Sequence, residues 1–139
     1  MKQIILIMFL LASLPVLTGM NGDISDIYKC LAERYTKEGK MDEALKCLEH
    51  SIEHARDPAP ILVDRAFVYL KMGKRDLAVA DFTRAIELKP EVTSVYVSRG
   101  LVYLDMKDEA KANADFRKAC DLGDQSGCDF LKKPAEGRD

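Results

Sequence analysis

The chain has 139 residues, 47% hydrophobic and 32% charged, with a formal net charge of −2. That length allows one domain, and the near-neutral balance gives no electrostatic footprint for nucleic acid. With no Trp, 8 Gly and 5 Pro, the composition excludes a turn-rich all-β fold and a disordered chain alike.

The first element is a leader-like segment. Met1-Lys2-Gln3 gives a positive start, Ile4 to Leu17 is almost wholly apolar, and Pro15 and Thr18-Gly19 follow near its end. A charged start, an apolar stretch and small residues describe a secretory signal peptide over residues 1–19. The run is short for a membrane span, which needs about 20 residues; the alternative is an uncleaved anchor over residues 4–20. Leu17-Thr18-Gly19 resembles the start of a bacterial lipobox, but Met20 stands where the lipidated Cys must be, so there is no thiol to acylate. The expected location is periplasmic or secreted, with membrane attachment only if the segment is retained.

Export changes the reading of the four cysteines, Cys30, Cys47, Cys120 and Cys128. All lie beyond the leader, and the destination is oxidising. Cys120 and Cys128 enclose Asp121-Leu122-Gly123-Asp124-Gln125-Ser126-Gly127, a turn between a helix ending near Leu122 and one starting near Gln125. A disulfide is expected there. Cys30 and Cys47 fall at one height on two successive helices and are a possible second pair, left open because level positions can face apart. No CxxC spacing occurs, so no zinc site is expected.

From residue 25 onward the chain repeats every 34 residues. Tyr35, Tyr69 and Tyr103 keep this step, as do Ala32, Ala66 and Gly100; Ala44, Ala78 and Ala112; and Leu48, Phe82 and Phe116. Stacked copies of one supersecondary unit produce such a clock, because each must fit its neighbour in the same way. The copies are 25–58, 59–92 and 93–126. In the middle one, apolar residues at spacings of three and four predict helices over 61–72 and 75–88, stopped by Gly73 and by Lys89-Pro90. Small residues at 66, 78 and 85 allow close approach, and Tyr69 and Phe82 fill the space beside them.

These residues resemble the tetratricopeptide repeat family. The middle copy carries Leu62, Ala66, Tyr69, Gly73, Ala78, Phe82, Ala85 and Pro90. The first carries Tyr28, Leu31, Ala32, Tyr35, Gly39, Ala44, Leu48 and Ser51; the third carries Tyr96, Gly100, Tyr103, Ala112, Phe116 and Ala119. Three departures stand out. Lys107 replaces a helix-ending glycine, Asp124 replaces the third proline, and the first proline is displaced to Pro58. The resemblance implies an all-α fold, a right-handed superhelical stack of three helix–turn–helix units. Phe130 falls 34 residues after Tyr96, so residues 125–133 are expected to form a short capping helix pinned by the cysteines, with a flexible tail over 134–139. The junction Lys118-Ala119-Cys120-Asp121-Leu122-Gly123, followed by Gly127-Cys128, also resembles those of exported bacterial Sel1-like repeat proteins.

The first resemblance implies that first helices line a concave groove. Asp26, Lys29, Glu33, Thr36 and Lys37 come from the first copy; Pro60, Val63, Phe67, Leu70 and Lys71 from the second; Ser94, Val97, Leu101, Leu104 and Asp105 from the third. Val63, Phe67 and Leu70 beside Val97, Leu101 and Leu104 make a two-helix apolar patch. The expected role is a protein-interaction module that takes an apolar peptide or helix of a partner. The alternatives are a homodimer or larger complex that buries this face permanently, and tight self-packing. Some members of the family clamp a C-terminal carboxylate; Lys29 matches one clamp position, but Glu33, Phe67, Ser94 and Ser98 do not fit the others.

The remaining candidates are structural. Arg65 and Arg99 share one repeat position and Asp81 and Asp115 another, so each pair is expected to join the two helices of one repeat. His50 and His54 are one helical turn apart with no third ligand evident, and Glu53 is read as lying off their face. There is no Gly-rich phosphate loop and no Ser–His–Asp arrangement. No enzyme activity, metal or cofactor is expected.

Overall fold

The computed structural model describes residues 24–132. The leader over 1–19, its alternative as an anchor over 4–20, and the tail over 134–139 lie outside the described residues. Seven α-helices follow one another: α1 Ile24–Lys37, α2 Met41–His54, α3 Ala59–Lys71, α4 Arg75–Leu88, α5 Thr93–Asp105, α6 Glu109–Asp121 and α7 Gln125–Lys132. Consecutive helices pack on one another along the whole series. The molecule is an all-α stack of three helix pairs closed by a short seventh helix, and among the described residues there is no strand.

Each pair turns by the same device. The N–H of Lys40 donates to the Tyr35 carbonyl at 2.9 Å, that of Lys74 to Tyr69 at 2.9 Å, and that of Asp108 to Tyr103 at 2.8 Å. These bonds close the ends of α1, α3 and α5 and require left-handed backbone just before the donor. Gly39 and Gly73 supply it at φ 77° and 72°. Lys107 takes the third place at φ 63°, a conformation costing an L-residue about 1–2 kcal/mol.

The core follows the register. Ala44, Ala78, Ala112, Ala66, Phe82 and Phe116 have no exposed surface. At position 100 even alanine is too large: a Cβ there would lie 2.7 Å from Phe116 Cε1. Between repeats, Ile61 and Val68 of α3 join Ala44 and Leu48 in one cluster, and Val95 and Val102 of α5 join Phe82, Ala85 and Ile86 in the next. Where the second and third repeats have Ala85 and Ala119, the first has Ser51. Its Oγ donates to the Ser25 carbonyl at 2.8 Å, and Ser25 Oγ donates to the Ser51 carbonyl at 3.0 Å, so both buried hydroxyls are satisfied.

Helix α7 closes the last repeat. Cys120 and Cys128 are disulfide-bonded with Cα atoms 4.7 Å apart. Phe130 stacks on Phe116 with ring centroids 4.7 Å apart. Asp124 accepts from Thr93 Oγ1 at 2.8 Å and from the Ser126 N–H at 2.9 Å, and the first of these holds its carboxyl below the usual range. The cap differs from a true first helix in one respect. Asp129, at the register of Ile61 and Val95, faces solvent, while Phe130, at the register of Leu62 and Tyr96, meets α6.

Ala78 sits where α3 and α4 meet with no space to spare. Ala78→Leu should overpack that contact and cost about 1–3 kcal/mol, measured as a lower denaturant midpoint. An unchanged midpoint would reject the helix register.

Candidate functional site

The face built by α1, α3 and α5 carries three open clefts. The first, of about 300 Å³, lies between α1 and α3 and is lined by Lys29, Glu33, Lys37, Asp64, Phe67 and Lys71 among others. The second, of about 320 Å³, includes Pro60, Val63, Asp64 and Ser94. The third, of about 280 Å³, lies between α3 and α5 and includes Phe67, Leu70, Ser98, Leu101 and Asp105. Phe67 therefore belongs to two clefts and forms the ridge between them. It is 45% exposed and Leu101 is 42% exposed, so large apolar surface stands open at the centre of the face.

The apolar patch is narrower than the sequence implies. Val63, Leu70 and Val97 are half-buried and pack against the core cluster, and Leu104 is also half-buried. Helical spacing placed these residues on the groove side but could not tell how far each leans into the inter-helix space. Phe67 is not free of the core either: its ring meets Phe82 edge-on at 5.4 Å.

Part of the charge around the face is paired. Arg75, at the start of α4, bonds Asp105 at the end of α5, and the guanidinium holds that carboxyl below its ordinary range. Lys89 reaches Asp57 at 2.8 Å. Asp64 is paired imperfectly, and periodicity carries no signal for it, since Cys30 and Ser98 hold the equivalent positions. Lys29 Nζ lies 3.3 Å from Asp64 Oδ2, yet that buried oxygen receives no aligned hydrogen bond. Burial pushes the Asp64 carboxyl up, more than Lys29 draws it down.

Behind the face, the expected arginine–aspartate pairs are in place. Arg65 donates from two nitrogens to both oxygens of Asp81, each at 2.7 Å. Arg99 does the same to Asp115 at 2.9 and 2.7 Å, and also donates to Thr83 Oγ1 at 2.8 Å, tying the third repeat to the second. Asp81 and Asp115 are 6% and 5% exposed, and the hydrogen bonds to them raise both guanidinium pKa values above normal. Such forked, mostly buried pairs fix geometry and leave no charge for a substrate.

Two sequence readings need correction. Cys30 and Cys47 are not joined and are free thiols. Cys30 points outward on α1, whereas Cys47 packs against the core between α2 and α3, where burial raises its pKa. Glu53 does not lie off the histidine face, because its carboxylate is 3.4 Å from His50 Nδ1. Tyr28 packs over both His50 and His54. Among the described residues no group of three His, Cys, Asp or Glu could hold a metal, and no helix is long and apolar enough to cross a membrane.

Comparison with known proteins places this geometry. The family model of the tetratricopeptide repeat matches residues 59–92 and 93–122, the second and third helix pairs. The fold is a stack of tetratricopeptide repeats. The second such domain of Spaghetti (RPAP3), bound to the HSP90 peptide SRMEEVD, superposes with a TM-score of 0.65 at 27% identity, over 73% of this chain and 94% of that one. The second tetratricopeptide repeat domain of human RPAP3, in complex with the HSP70 peptide SGPTIEEVD, gives 0.65 at 26% identity, over 77% and 93%. The crystal structure of MamA protein is a third similar one, with a TM-score of 0.67 at 21% identity over 88% of this chain and 66% of that one. Among curated proteins, no sequence matches the chain. The clefts lie on the first helices of the stack.

Two measurements check this site. In the folded chain Asp64 binds its proton more tightly than in the unfolded chain, so its contribution to stability falls as pH rises from the ordinary carboxylate range, about 4, through the raised value. The stability of Asp64→Asn relative to the parent should therefore grow between pH 3 and pH 7, as read from denaturant midpoints. Separately, thiol titration of the oxidised, denatured chain should find two reactive thiols, Cys30 and Cys47, and four after reduction. Four before reduction would reject the cap disulfide.

Proposed function

We propose that the chain is an exported adaptor that binds an apolar segment of a partner protein, a peptide or helix, across Phe67 and Leu101. One observation carries the reading: Phe67 stands between two clefts and, like Leu101, is nearly half exposed, although the other large apolar side chains of their helices are buried or half-buried. The peptide complexes of the RPAP3 domains support a peptide as ligand. The ligand here differs from those tails, because Glu33, Phe67, Ser94 and Ser98 occupy the places where a carboxylate clamp needs Lys, Asn or Arg. Lys71, Val63, Leu70, Val97, Leu104 and Asp105 form the surround. Export is supported by the leader-like residues 1–19 and by a disulfide, a bond that persists in oxidising compartments.

The test uses a photo-crosslinking residue placed at Leu101 or, as control, at the exposed Arg84 on α4, in the producing cell. A discrete adduct from 101 and none from 84 is expected, and mass spectrometry of the adduct reads whether residues 1–19 are gone. Phe67→Ser with Leu101→Ser should weaken binding of the captured partner by about 2 kcal/mol or more, roughly 30-fold. Equal adducts from both positions would reject the groove. Because Phe67 touches Phe82, Leu101→Ser alone serves as the variant that leaves the core untouched.

A further inference from the structure

The cleft between α1 and α3 changes character along its length. At one end Lys29 pairs with Asp64 at 3.3 Å, and Glu33 stands near enough to add to the upward push on the Asp64 carboxyl. Phe67 follows one helical turn further along α3. At the other end Lys37 and Lys71 hold the same repeat position in the last turns of α1 and α3. Both are exposed, both line the cleft, and neither forms an ion pair with a described residue. Thr36 beside them donates its hydroxyl proton to the Ala32 carbonyl at 2.8 Å, so the two ammonium groups are the donors left at that end. A cation in a last turn is favoured by the helix dipole in any case. The stack does not demand one, however, because Asp105 holds this register on α5.

Resting on the reading of this face as a groove for a partner segment, we infer that the segment is acidic as well as apolar: an internal Asp or Glu side chain seats at Lys37 and Lys71 while an apolar residue beside it packs on Phe67 toward Leu101. Charge complementarity sets this register. At the Lys29 end a partner carboxylate meets Asp64 and Glu33 and is repelled. Over α5 the nearest cation, Arg75, is already taken by Asp105. Lys37 and Lys71 alone present uncommitted positive charge, and Phe67 is one helical turn from Lys71. Neither lysine is among the clamp positions Lys29, Glu33, Phe67, Ser94 and Ser98, so the carboxylate need not be a chain end. Exposed charges of this kind contribute chiefly selectivity and speed of association, while the apolar contact holds the segment.

The experiment uses the chain as its cell produces it. The probe is a phage-displayed library of random short segments held between linkers, so that no segment has a free C-terminus. The parent should enrich segments that combine apolar residues with Asp or Glu. Replacing that acid by its amide in a selected segment should weaken binding about tenfold at low salt and less at high salt. Lys37→Glu with Lys71→Glu should lose the acidic segments and select Lys or Arg in their place, an inversion that a merely structural role at the helix ends does not produce. Lys37→Gln with Lys71→Gln, which adds no repulsion, should lose the preference without gaining the opposite one. Enrichment of apolar segments without acid, still lost in Leu101→Ser, overturns this inference and leaves the groove reading standing. An acid preference that survives the double charge reversal overturns it too, since the charge is then read elsewhere. Segments that Leu101→Ser does not disturb, or no enrichment at all, overturn both. A photo-crosslinking residue at position 71 that captures a second copy of the chain, in place of a partner, likewise overturns the inference.

Discussion

Close approach of the two helices in each repeat sets the rest of the structure. Ala44, Ala78 and Ala112 are fully buried, and at Gly100 the Phe116 ring occupies the space a Cβ would need. Helices this near leave room for one large residue beside each crossing, Leu48, Phe82 or Phe116. They also bring Arg65 and Arg99 within reach of both oxygens of Asp81 and Asp115. With the crossing fixed, the next repeat can dock only in one way, and the first helices end up side by side.

That alignment explains the functional face. A first helix packs on its own partner and on the preceding repeat, so its remaining surface looks into the clefts. In α3 the residues that look out are Asp64, Phe67 and Lys71, one helical turn apart. Phe67 keeps an edge on Phe82, which orients the ring and limits the entropy it can lose on binding. Asp64 beside it is a half-desolvated carboxylate with one imperfect partner, so a partner that approaches this ridge meets a hydrocarbon surface and an under-satisfied anion together.

The fold was legible because the stack must repeat its packing, and packing acts on residue size. The same 34-residue clock that set alanines at 44, 78 and 112 placed the ends of the middle helix pair within two residues of those observed, and Lys107 kept the glycine-type turn at a cost. The cap pair was legible because two glycines and a short polar loop confine Cys120 and Cys128. What the sequence could not resolve was rotation. Cys30 and Cys47 share a height but are not joined, Asp129 turns out to solvent although the register matches it with Val95, and Val63, Leu70, Val97 and Leu104 are half-buried on a face where Phe67 and Leu101 stand exposed. Periodicity gives the side of a helix to within about one residue, and the difference between lining a groove and filling a core is smaller than that.

The arginine–aspartate pairs of the second and third repeats have no counterpart in the first. Leu31 stands at the place of Arg65 and Arg99, and Cys47 at the place of Asp81 and Asp115. The first helix pair thus relies on two serine hydroxyls and on its apolar core, while the last is clamped by an ion pair, a stacked aromatic and a covalent bond. In a linear array each unit is stabilised chiefly by its neighbours, so such a gradient gives the molecule a direction. Amide protons in α1 and α2 should therefore exchange with solvent through local opening, and those in α5 and α6 only through global opening. Pulled or heated, the stack should peel from its N-terminal end, the face around Leu101 outlasting the face around Lys29.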